Sequence, residues 1–200
     1  MQEMSAMAKR AFLVLGPESA GNRLVTRCLI SAGCEGDGDH EQRLDEPDGL
    51  AGAADLIVIR RSMPHGDAWP HLDGLLDRLK NHGYHDVRVL AMIRTHYCMV
   101  RSQVIAGHHC NVSPDKWFAE AEDEVASAMR RIGQFAFENK LPIRYITFES
   151  VIHNFEALRR TVAEWGIDLP APPEALRDEN VKYLRLDSLR TSPSVANATS

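Results

Sequence analysis

Several things are scarce in this 200-residue chain, and each scarcity narrows what it does. There are four cysteines (Cys28, Cys34, Cys98 and Cys110), and no two stand in a C-x-x-C pair. A disulfide framework or a zinc knuckle is not indicated, and the four read as reduced thiols of a cytoplasmic protein. Positive charge is also short. Lys and Arg total 23 against 28 Asp and Glu, a formal net charge of −5, which argues against a nucleic-acid partner or an anionic membrane surface. No apolar run is long enough for a membrane span. The run AFLVLG that follows Lys9-Arg10 is too short even for the apolar part of a signal peptide. No internal repeat is apparent. A hydrophobic content of 44% leaves an ordinary globular composition, with length for one domain and a substantial core.

What is present is organised around residues 11–30, AFLVLGPESAGNRLVTRCLI. The apolar residues Ala11 to Leu15 predict a buried strand. From about Gly21, Leu24, Val25, Cys28 and Leu29 fall on one face of a helix. Between the two lies GPESAG, and Gly16-x4-Gly21 has the spacing of a phosphate-binding loop. The Lys and Ser/Thr that would serve a nucleotide's transferring phosphates and its magnesium are replaced by Asn22 and Arg23. A cradle without a magnesium ligand suits an anion that needs no metal. If Gly21 is there for the ligand alone, replacing it with valine costs binding and not stability.

Along the rest of the chain, strands are expected at Asp55–Ile59, Val87–Ile93 and Leu141–Phe148. Helices are expected from Leu72 to about Asn81, from Arg94 to about Gly107, from Pro114 (with Ser113 as N-cap) to about Asn139, and from Phe155 to Trp165. The acidic, glycine-rich stretch 34–54 reads as a long surface loop. Residues 1–9 read as a loose leader, 10–185 as one domain, and 186–200 as a disordered tail with a short helix before it. Strands alternating with helices make an α/β fold with a mainly parallel sheet. Ligands of such folds sit at the carboxyl ends of the strands. There the sequence delivers the glycine loop, then Arg60-Arg61-Ser62, then Arg94.

Arg94 is followed eight residues later by Ser102, so that a guanidinium fork and a hydroxyl are available to a phosphate. With the glycine loop and the segment YITFESVIHNFEALRRTVAEWGIDLP, this Arg-x7-Ser element resembles the P-loop sulfotransferases over about residues 10–170. The resemblance implies a P-loop-type three-layer domain that uses 3′-phosphoadenosine 5′-phosphosulfate (PAPS) as co-substrate, with no metal. It implies that Gly16, Pro17, Ser19, Ala20, Gly21, Asn22 and Arg23 surround the sulfate-bearing phosphate, with N–H groups of Ala20, Gly21 and Asn22 as donors. Arg94 and Ser102 would hold the 3′-phosphate. The acceptor would be a hydroxyl on a saccharide, a lipid headgroup or a small metabolite. In one branch of the family a histidine base stands where this chain has Ser62, so His65 and Glu18 are the two candidate bases. A P-loop kinase or NTPase and a non-catalytic nucleotide-binding module are the other readings. His108-His109-Cys110 invites a metal, but adjacent ligands without partners read better as a helix end.

Overall fold

The computed structural model describes residues 9–41, 44, 46, 48–65, 68–106, 114–172 and 176–184, and side chains within them except at 106 and 114–118. In chain order the elements are β1 (Arg10–Gly16), α1 (Asn22–Ser31), β2 (Glu35–Gly36), β3 (Leu56–Ser62), α2 (Leu72–Asn81) and β4 (Asp86–Ile93). Then follow α3 (His96–Ala106), α4 (Pro114–Glu138), β5 (Ile143–Thr147), α5 (Phe148–His153) and α6 (Phe155–Ala163). The strands form one sheet in the order β2-β3-β1-β4-β5, and every ladder is parallel. It is an α/β three-layer fold.

Alternation along β1 explains the layers. Phe12 and Val14 face one side of the sheet, where Val25 and Leu29 of α1, Val151 of α5 and Val162 of α6 pack. Leu13 and Leu15 face the other side, against Leu75 and Leu79 of α2 and Ile132 of α4. Both faces of β1 are buried, so its five central residues read as a continuous apolar run. The long helix α4 contributes Val125 to the first cluster and Ala128 to the second.

Three expectations change. The stretch 34–54 contains β2 and buries Cys34, Leu50 and Ala53, so it packs on the sheet and does not merely cover the surface. The fourth expected strand is shorter, because Phe148 already belongs to α5, whose N-cap Thr147 accepts from the Ser150 N–H. Strand β3 runs three residues further than expected, through Arg60, Arg61 and Ser62, all buried. The leader 1–8, the tail 186–200, Ser113 and His108-His109-Cys110 lie outside the described residues.

Candidate active site

Register fixes the centre of the site. Gly16 at the end of β1 is paired with Ser62 at the end of β3, and Arg94 directly follows β4. The glycine loop therefore leaves the middle strand of the sheet between two flanking strand ends. A Cβ on Gly16 would lie 2.9 Å from Met92 Cβ, which accounts for glycine there. Gly21 caps α1 with φ +97°, and Ser19 also lies in the left-handed region at φ 66°.

The loop's carbonyl groups are held from within the protein. Gly16 O accepts from Met63 N (3.0 Å) and Asn22 Nδ2 (3.2 Å). Pro17 O accepts from Ala20 N and Asn22 Nδ2, both at 3.2 Å. Glu18 O accepts from Gln103 Nε2 at 2.8 Å, and Ser19 O from Arg94 Nη1 at 3.0 Å. Each peptide is planar and trans, so pinning the carbonyls of Pro17 and Glu18 points the N–H groups of Glu18 and Ser19 the opposite way. That is the geometry of an anion cradle. Ala20 differs from expectation, since its N–H is directed to Pro17 within the loop.

Asn22 occupies the position of a phosphate-reaching lysine, but its side chain folds back across the loop and also meets Ser62 Oγ at 3.3 Å. Arg23, expected to lend positive charge at the helix start, is exposed and turned to Asp39 at 2.5 Å. Arg94 is buried, its Cζ 4.5 Å from the centre of the Phe148 ring and 5.5 Å from that of Tyr183. Its Nε donates to Asn180 Oδ1 at 2.6 Å. Ser102 is half-buried on α3 and is not among Arg94's partners. Its neighbour Gln103, which the sequence gave no reason to single out, reaches the loop from α3.

Arg94 Nη2, Gln103 Oε1 and Asn22 Oδ1 are buried and make no hydrogen bond among the described residues. All three belong to side chains that hold the loop. Arg94 Nη2 is a donor suited to an anionic oxygen, and the other two are acceptors suited to a hydroxyl or amine.

Glu149, within the segment YITFES that contributes to the sequence resemblance, ties this region to the C-terminal segment. Its Oε1 accepts from Thr95 N (2.9 Å), Thr95 Oγ1 (2.7 Å) and Asn180 Nδ2 (2.7 Å). Burial alone pushes its carboxyl up, but these hydrogen bonds together outweigh burial and hold it below the ordinary glutamate value. Asn180 and Tyr183 come from a stretch whose sequence suggested only a short helix.

The two candidate bases meet. His65 Nδ1 lies 3.4 Å from Glu18 Oε1, and 3.7 Å from Oε2 of Glu41. His65 is steadied by reciprocal backbone bonds with Ala68 (2.9 and 3.1 Å). Beside it opens a cleft of about 370 Å³, lined among others by Glu41, Arg61, Trp69, Leu75 and Arg78. Among the described residues no group of three or more His, Cys, Asp or Glu side chains is placed to hold a metal ion.

No protein-family model matches the chain, and no curated protein sequence matches it. Its fold, however, resembles that of a solved structure, the sulfotransferase domain from the Synechococcus PCC 7002 olefin synthase. The superposition has a TM-score of 0.52 at 12% identity and covers 100% of this chain and 94% of that one. The fold is sulfotransferase-like. At that identity the likeness concerns architecture alone. None of its helices, among the described residues, is long and apolar enough to cross a membrane.

Proposed function

We propose that the protein transfers a sulfuryl group from PAPS to a hydroxyl of an acceptor. The observation that carries this reading is the glycine loop whose carbonyls are drawn inward by Asn22, Gln103 and Arg94. Such a loop presents N–H donors to an anion, while Asn22 replaces the lysine of a nucleotide triphosphate site. The sulfotransferase-like fold supports the same reading.

The residues fit the co-substrate. The N–H groups of Glu18, Ser19, Gly21 and Asn22, with Ala20's turned into the loop, would face the phosphosulfate, where charge builds on the departing phosphate. Arg94, through the otherwise unsatisfied Nη2, would hold the 3′-phosphate, with Ser102 further along α3. PAPS supplies an activated sulfuryl group, and adenosine 3′,5′-bisphosphate is left once the acceptor oxygen has bonded to sulfur. His65 would take the acceptor's proton, with Glu18 beside it. The cleft next to His65 would receive the acceptor, and its size suits a small molecule or the end of a larger one.

A second reading, a nucleotide-binding module without catalysis, draws on Arg94, whose guanidinium lies over the rings of Phe148 and Tyr183 and whose Nε is taken by Asn180. Calorimetric titration with adenosine 3′,5′-bisphosphate, 5′-AMP and ATP tests both. Preference for the bisphosphate without magnesium is expected, and preference for ATP with magnesium would overturn both readings in favour of an NTPase. Acceptor-dependent release of the bisphosphate from PAPS then separates enzyme from module. In the enzyme, His65→Ala is expected to lower turnover by about two to four orders of magnitude.

A further inference from the structure

Glu41 comes from the acidic stretch that looked like solvent-facing loop, yet its side chain is only 8% exposed. Its carboxylate takes both donors of one residue: Oε1 accepts from the Ser62 hydroxyl at 2.5 Å, and Oε2 from the Ser62 N–H at 3.0 Å. Arg60 Nε stands 3.3 Å from Oε1 and balances the charge. A carboxylate gripped at both oxygens has little freedom to rotate. This fixes Oε2 at 3.7 Å from His65 Nδ1, with Glu18 Oε1 on the same nitrogen at 3.4 Å.

Two ionised carboxylates can only accept hydrogen bonds. A neutral imidazole carries its hydrogen on one nitrogen. With the hydrogen on Nε2, the Nδ1 lone pair would face carboxylate lone pairs. With it on Nδ1, the positive end of the N–H dipole faces the two negative charges, and the contact is attractive even at separations longer than a hydrogen bond.

We propose that Glu41 is a positioning residue which, with Glu18, keeps the hydrogen of neutral His65 on Nδ1 and leaves the lone pair on Nε2. That lone pair can accept a proton from an acceptor hydroxyl only from the side of the ring away from the two carboxylates. The use made of it rests on the sulfotransferase reading; the tautomer does not. Among the described residues, the other charged or titratable side chains lining the cleft beside His65 are Glu46, Arg61 at the end of β3, His71 at the start of α2, and Arg78. His71 is already oriented, since its Nδ1 accepts from Gly74 N. Ser62, at the place of a family base, serves here to hold Glu41.

The test is a long-range ¹H–¹⁵N correlation spectrum of histidine-labelled full-length protein at a pH where His65 is neutral. The wild type is expected to favour the Nδ1–H form about tenfold or more, which corresponds to ~1.4 kcal/mol. Glu41→Gln and Glu18→Gln should each weaken the bias, and the double variant should remove most of it. Ser62→Ala should weaken it too, by loosening Glu41, and serves if Glu41→Gln does not fold. A wild type dominated by Nε2–H overturns the proposal. So does an undiminished bias in Glu41→Gln. Should the bias appear as expected while no acceptor is ever sulfated, the function fails and the positioning stands. In an active enzyme, Glu41→Gln should lower kcat at least tenfold with bisphosphate affinity within about threefold, as for a group acting through His65 and not on the nucleotide.

Discussion

Gln103, buried on α3, donates its Nε2 hydrogen to the carbonyl oxygen of Glu18 at 2.8 Å, joining residues 85 positions apart. The bond holds the middle of the glycine loop in the shape that turns its N–H groups outward. Gln103→Leu keeps much of the volume and removes the donor. A buried carbonyl left without a partner costs about 1–3 kcal/mol. Urea denaturation should show a loss of that order, and calorimetry should show weaker binding of adenosine 3′,5′-bisphosphate. Unchanged affinity would mean that the loop keeps its shape without this clamp.

Arg94 has two tasks in this arrangement, and the variants should reveal both. Its Nη1 supports the loop at Ser19 O, while its buried Nη2 makes no hydrogen bond among the described residues and, on the proposed function, would meet a ligand phosphate. Arg94→Ala should therefore weaken 5′-AMP as well as the bisphosphate, and lower the melting temperature. The bisphosphate should lose more, by about 1.5–3 kcal/mol, the range of a hydrogen bond to a charged group. Arg94→Lys keeps the charge but not the fork, and should recover only part of either loss. An unaffected 5′-AMP affinity would detach Arg94 from the loop.

Gly21 answers to stability as well as to ligand. Its φ of +97° is a left-handed conformation, and an added Cβ would stand 2.8 Å from Phe148 Cδ2. Left-handed backbone costs a side-chain-bearing residue about 1–2 kcal/mol before any displacement of Phe148. Gly21→Val should thus lower the melting temperature in the absence of nucleotide, contrary to what the loop's spacing alone suggests. Thermal scans of the ligand-free variant decide it, and an unchanged midpoint would show that Phe148 moves aside and α1 starts differently.

Acid should weaken the fold through Glu149 and Asp86. Burial raises both carboxyls, but Thr95 and Asn180 on Glu149, and Arg88 and Arg10 on Asp86, hold them below their ordinary values. A carboxyl depressed in the folded state contributes stability above its unfolded pKa, and loses it as pH falls through the folded value. Stability measured in urea should therefore decline below the ordinary carboxylate range. Glu149→Gln should be less stable at neutral pH and show a shallower decline. An identical slope would show that Glu149 does not contribute to it.

The thiols of Cys28, Cys34 and Cys98 should be inert while the chain is folded. Burial pushes Cys34 up to about 12 and raises Cys98, and Cys28 is buried as well. Only thiolate is nucleophilic. Mass spectrometry after iodoacetamide treatment near pH 8 should find these three unmodified in native protein and alkylated in denaturant. Rapid native labelling at Cys34 would mean that the β2 edge opens readily.

The sequence by itself determined the elements whose signal is short-ranged. The apolar run before Gly16 and the 3.6-residue spacing after Gly21 specify strand, turn and helix locally, and the alternation of strands and helices specifies parallel α/β layers. It also supplied Glu18, His65 and Arg94 as chemically able residues. Only the tertiary structure decided what those residues meet. Asn180 reaches Arg94 from 86 positions away, and Glu41 reaches Ser62 from 21, and neither separation leaves a periodic trace. Composition marked the stretch around Glu41 as solvent-exposed because charge and glycine predominate there. Pairing with Ser62 and Arg60 supplies the hydrogen bonds that let one of those charges be buried, and such pairing exists only after β3 has been placed beside β1.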